Sequence, residues 1–226
     1  MKPHVKSLFL LMTFVCCTFA NIQAQKTPKE AGWYFRAISG YPAAVTFEPI
    51  VLFEDGTYFE VAEEPLEDTD LAKSKIDEPQ LWGTWQRKNS IFTLTNAEGK
   101  IYEYDLNSGN WFKAFPFNAE TTLKGTYEKI SGGNFGNSTY ALFRSEIVFL
   151  DDTHFTQAEN GGITSFSSSA WKNNNDSGTY AIDKNTITFN YNDGRVLRFS
   201  FAFGAEGENI LDTDMIFIGG KTYVIE

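Results

Sequence analysis

The sequence repeats itself. Ile50-Val51-Leu52-Phe53-Glu54-Asp55 returns as Ile147-Val148-Phe149-Leu150-Asp151-Asp152 at an offset of 97, and Gly83-Thr84-Trp85 returns as Gly178-Thr179-Tyr180 at 95. Gly99-Lys100-Ile101-Tyr102-Glu103-Tyr104 matches Gly194-Arg195-Val196-Leu197-Arg198-Phe199, again at 95, and Gly32-Trp33-Tyr34 matches Gly125-Thr126-Tyr127 at 93. Four matches in one order at nearly one offset mark a duplicated structural unit. Whatever this chain folds into must be buildable twice.

The unit is made of strands. Ile50-Val51-Leu52-Phe53 and Thr57-Tyr58-Phe59-Glu60-Val61 flank Asp55-Gly56, which supplies the positive backbone dihedrals of a tight hairpin. The same logic joins Ile91-Phe92-Thr93-Leu94 to Ile101-Tyr102-Glu103-Tyr104 through Glu98-Gly99. It joins Thr186-Ile187-Thr188-Phe189 to Val196-Leu197-Arg198-Phe199 through Asp193-Gly194. A Gly-x-aromatic strand followed by such a hairpin begins at Gly32, Gly83, Gly125 and Gly178, so each repeat holds two three-stranded units. The second repeat adds closing strands at 215–218 and 222–225 around Gly219-Gly220-Lys221; the first ends in a shorter tail, Trp111 to Phe115 and then 121–124. The chain divides into 1–24, a first β repeat over 25–124 and a second over 125–226. The predicted class is all-β, an antiparallel up-and-down meander. Such a meander hides its edges most completely by closing into a barrel.

The run Gly-Thr-Tyr, Thr-Ile-Thr-Phe, Asp-Gly-Arg, an alternating strand and then Gly-Gly-Lys-Thr-Tyr resembles the small lipocalin-like (calycin-type) barrels of exported bacterial proteins. The resemblance is strongest over 125–226 and weaker over 32–124. Gly83-Thr84-Trp85 echoes the Gly-x-Trp near the start of lipocalins. The resemblance implies two tandem barrel-type repeats, as two small barrels or as one larger closed sheet, and a small ligand in a barrel mouth. The lipocalin disulfide is missing from this pattern, because both cysteines, Cys16 and Cys17, lie in the leader.

That leader, residues 1–24, reads as a secretory signal peptide: Lys2, His4 and Lys6, then an uncharged apolar run from Leu8 to Ala20, then the small residue Ala24. Export to the periplasm or the cell exterior is the expected destination. A lipid anchor on Cys16 or Cys17 is the rival, but neither cysteine follows the small residue that pattern requires. No later apolar run is long enough to span a bilayer. The chain carries 19 Lys and Arg against 29 Asp and Glu, and the leader takes away two of the bases and none of the acids. The remainder therefore holds 17 bases against 29 acids, a net −12 that repels phosphate backbones, so no nucleic-acid partner is expected.

Catalytic signatures are scarce. His154 is the single histidine outside the leader, which excludes sites built on two imidazoles; it reads as an ordinary residue at a strand start. Glu63-Glu64, Glu67-Asp68 and Asp70 crowd one acidic segment, which suits solvated loop charge, with a paired-carboxylate glycosidase or a calcium site as the sharper alternatives. Asn173-Asn174-Asn175-Asp176 reads as turn residues. Ser131-Gly132-Gly133-Asn134 lacks the following helix that a phosphate cradle needs, and reads as a flexible loop. No cofactor motif is present and no metal site is expected. Two long segments, 62–81 with a short helix near 66–75 and 159–177, are predicted as loops at equivalent corners, where function concentrates.

Aromatic residues remain. Phe149, Phe155, Tyr180, Phe189, Phe199, Phe201, Phe203 and Phe217 fall on alternating strand positions with one face buried, as filled core or as the lining of a cavity. Trp111, Phe166 and Trp171 lie near loops. The candidate ligand-binding set is Trp111, Phe166, Trp171, Tyr180 and Phe199, for a small apolar or sugar ligand, with no catalytic residue assigned. The alternatives are a non-enzymatic surface module with a filled core, and a glycoside hydrolase using the loop carboxylates.

Overall fold

The computed structural model describes residues 28–38, 46–134, 140–164, 169–206 and 210–226. They form two antiparallel sheets. The first contains β1 (Glu30–Ile38), β2 (Thr46–Phe53), β3 (Thr57–Glu60), β4 (Trp82–Lys88), β5 (Ile91–Asn96), β6 (Ile101–Asp105) and β7 (Trp111–Ala114), in the order β6-β5-β4-β3-β2-β1-β7. The second is a closed barrel of β8 (Gly125–Asn134), β9 (Tyr140–Phe149), β10 (His154–Thr164), β11 (Ser169–Asp183), β12 (Thr186–Tyr191), β13 (Val196–Glu206), β14 (Ile210–Ile218) and β15 (Lys221–Ile225), with β15 returning to β8. A single short α-helix among the described residues, α1 (Leu71–Asp77), follows β3, and the Asp70 carboxylate accepts from the Lys73 amide at its start.

The duplication is visible strand by strand. Arg36 on β1 opposes Glu48 on β2, as Lys129 on β8 opposes Ser145 on β9. In the barrel, β15 pairs with the first strand of its repeat; in the first sheet β7 takes that place on β1. Among the described residues a counterpart of β14 is missing there, and β6 and β7 share no backbone pairing. They meet through side chains instead, Tyr104 stacking on Trp111 with ring centroids 5.0 Å apart. The first sheet is therefore nearly closed and the second fully closed.

Period-two alternation then builds three cores. Tyr127, Ile147, Phe149, Phe155, Tyr180, Ile187, Phe189, Phe201, Phe203, Ile216 and Tyr223 fill the barrel. Ile50, Leu52, Tyr58, Phe92, Leu94 and Trp111 fill the curl of the first sheet. The opposite face of the first sheet, with Trp33, Phe35, Val51, Phe53 and Phe59, packs with Trp82 and Leu71 against Ala202 and Phe217 of the barrel wall. Phe217 thus points out of the barrel into the seam, unlike the other alternating aromatics. Phe115 and Phe203 exchange backbone hydrogen bonds of 2.9 and 2.8 Å across that seam.

Two segments read as loops are strands. The stretch 159–177 lies mostly in β10 and β11, whose register runs unbroken from His154↔Thr179 to Thr164↔Ser169. Ser131 to Asn134 continues β8, paired to β9 as far as Asn134↔Tyr140. Each ladder satisfies the backbone groups that face its partner strand, and that outweighs the turn-like composition of these residues.

Candidate functional site at the barrel mouth

Strand parity determines what the barrel interior presents. On β8 Tyr127 points inward, and so do Lys129 and Ser131; on β10 the inward series is Phe155, Gln157, Glu159; on β15 it is Tyr223 and Lys221. At one end the aromatic series gives way to polar and charged residues. There the barrel opens into a cavity of about 300 Å³, with Ile147, Phe189, Phe199 and Tyr223 below and Gln157, Glu159, Asn174, Asp176 and Arg195 around it. An adjoining cavity of about 350 Å³ shares Glu159, Asn174 and Lys221 and continues along Lys129, Ser131, Phe143 and Ser145. The reason is strand length. β8 to β11 run 10 to 15 residues, whereas β12 and β15 have 6 and 5, so one wall of the barrel rises past the mouth.

The rim is partly cross-linked. Tyr191 donates its hydroxyl to Gln157 Oε1 at 2.9 Å, and the Arg195 guanidinium lies 4.3 Å over the Tyr191 ring while pairing with Asp176 at 2.8 Å. Burial raises the Tyr191 and Tyr223 hydroxyls above their ordinary range, so both stay protonated donors. Lys221 reaches Glu159 at 3.5 Å. Burial, and after it the charge of Lys221, lowers the Lys129 ammonium below its ordinary value. The acidic segment after β3 forms part of the lip: Glu63 lines the cavity, its carbonyl accepts from the Ser200 amide at 3.0 Å, and Arg198 clamps Glu67 and Asp68.

Of the residues singled out from sequence, Phe199 lines this cavity. Tyr180 lies deeper, its ring packed on Phe149 and its hydroxyl donating to the Asp151 carbonyl at 2.9 Å. Trp111 is fully buried inside the first sheet, stacked between Tyr34 and Tyr104. Trp171 sits on β11 opposite Gly162, and Phe166 is outside the described residues. Sequence reasoning missed Lys129, Gln157, Glu159, Tyr191 and Lys221. The signal was there: Lys129, Gln157, Tyr191 and Lys221 each stand two residues from an inward aromatic and Glu159 stands two from Gln157, and polar residues on the inward parity near a strand end mark a mouth.

Three of the five carboxylates that suggested hydrolysis have structural employment, Glu67 and Asp68 on Arg198 and Asp70 on α1. His154 opens β10 with its Nδ1 2.9 Å from Asp151. Among the described residues no group of His, Cys, Asp and Glu is placed to hold a metal, and no helix is long and apolar enough to cross a membrane. Comparison of the chain with protein-family models, with curated proteins and with solved structures found no match.

Proposed function

We propose that this is an exported, lipocalin-like protein that binds a small, partly apolar molecule in the mouth of its closed barrel. The observation that carries the reading is the cavity of about 300 Å³, floored by Phe189, Phe199 and Tyr223 and rimmed by Gln157, Asn174 and Tyr191. The cavity sets an aromatic floor under a largely polar and charged rim, a form suited to a partly apolar molecule, and its volume stands at the lower end of the range of about 300–1,000 Å³ of small-molecule sites. Export rests on the order of charge, apolar run and small residue over 1–24.

Native mass spectrometry of the protein purified from its source, beside the denatured mass, tests both parts. The expected result is a chain beginning near Gln25 that carries a reproducible non-covalent mass. A bare polypeptide, with no thermal stabilisation by a panel of lipids and sugars, removes the ligand reading. An intact leader removes the export reading.

A further inference from the structure

The two repeats supply an internal comparison at the mouth. Arg36 and Lys129 hold the same place, inward on the first strand of their sheets and opposite Glu48 and Ser145 respectively. In the first sheet Arg36 pairs with Glu48 at 3.2 Å and with Glu60 at 2.9 Å. At the offset of 97 that relates these strands, Glu48 corresponds to Ser145 and Glu60 to Gln157. The inward cation has been kept and both of its counter-ions have become neutral. Among the described residues Lys129 makes no hydrogen bond or ion pair, although it is half-buried and faces a second cation, Lys221.

Carboxylates are not in short supply: the chain holds 29 acids against 19 bases. Arg144, Arg195 and Arg198 each engage two or more of them. A desolvated ammonium beside a like charge is unfavourable unless an anion joins it. The neutral groups now beside Lys129, the Ser131 and Ser145 hydroxyls and the Asn174 amide, can all donate to such an anion.

Resting on the ligand reading above, we infer that the molecule bound at the mouth is an amphiphile whose anionic head group sits between Lys129 and Lys221, where the first repeat places its own glutamates. The apolar remainder lies on Phe189, Phe199 and Tyr191. A cationic ligand fits less well, because Glu159 and Asp176 already face Lys221 and Arg195.

Titration calorimetry of the protein with octanoate, octyl phosphate, 1-octanol and octylamine tests this. The expected result is that octanoate or octyl phosphate binds at least tenfold more tightly than 1-octanol. Which of the two wins separates a carboxylate from a phosphate head. Lys129→Met should bring the anion down to the level of 1-octanol and leave 1-octanol unchanged. The double variant Ser145→Glu, Gln157→Glu restores the ion-pair set that the first sheet folds with, and should likewise abolish the preference. Equal binding of anion and alcohol, tighter binding of octylamine, or a preference that survives Lys129→Met overturns the inference and leaves the mouth a ligand site. Failure of all four to bind removes the mouth reading itself, and the inference with it.

Discussion

Gly83 and Gly178 hold one place in the two repeats, and at both the neighbouring strand comes too close for a side chain. A Cβ on Gly178 would stand 2.0 Å from the Asn190 carbonyl oxygen; on Gly83 it would stand 2.3 Å from that of Thr95 and 2.4 Å from the Tyr58 ring. Thr95 and Asn190 are themselves 95 positions apart, so the repeat preserves the close approach as well as the glycine. Backbone cannot swing aside as a flexible side chain can. Gly178→Ala is therefore expected to destabilise the protein by about 1–3 kcal/mol, the usual cost of overpacking. Urea unfolding measures it, and an unchanged midpoint would mean that the strands have room to part. The glycine of the Gly-Thr-aromatic motif was readable in the sequence; its reason, a neighbouring carbonyl, was not.

The hairpin joining β9 to β10 is fastened by one carboxylate. Asp151 accepts from the amides of Thr153 and His154, both at 2.8 Å, and from the Thr153 hydroxyl at 3.0 Å. The Thr153 amide first, and the His154 side chain next, hold this carboxyl well below the ordinary range. A carboxyl lowered in the folded state binds a proton less readily there than in the unfolded chain. Its contribution is full above the ordinary carboxylate pKa of about 4 and is lost as the pH falls toward its own lower value. Asp151→Asn should thus lower Tm at pH 7, and the gap between variant and wild type should narrow at pH 3. A gap that is constant with pH would assign the effect to geometry alone. The Asp-Gly hairpins were legible directly, and this one through the match of Asp151-Asp152 to Glu54-Asp55 in the first repeat. The strands around residues 131–134 and 159–177 were not, because their glycine- and asparagine-rich composition suits a loop, and only pairing along β8 to β11 makes them sheet.

Across the whole molecule the two sheets share a core. Phe35, Phe53, Phe59 and Trp82 meet Ala202 and Phe217, and Phe217 is 1% exposed with its ring 6.2 Å from that of Phe35. Truncating a buried phenylalanine costs about 3–5 kcal/mol through lost burial and the cavity left behind. Since both sheets contribute to this seam, Phe217→Ala should lower the stability of the entire protein, and calorimetry of the wild type should show a single transition. Two transitions, of which the variant shifts one, would mean that the halves unfold separately. The pattern of alternation identified Phe217 as buried but not against which partner. A residue facing out of a barrel and one facing in are equally apolar when a second sheet covers the outside.

The sequence by itself determined the strands outside 131–134 and 159–177, the Asp-Gly and Gly-Gly turns, the duplication and the alternation of the aromatics. These depend on backbone chemistry and a period of two, which a few neighbouring residues carry. Tertiary structure alone decided that the first sheet, short of one strand, stays nearly closed while the second closes completely, and that Trp111 packs inside rather than at a rim. It also decided the composition of the mouth. Lys129 and Lys221 belong to the first and last strands of the barrel, and they face one another only because β15 returns to β8. No local pattern holds that contact: it exists because the sheet closes on itself.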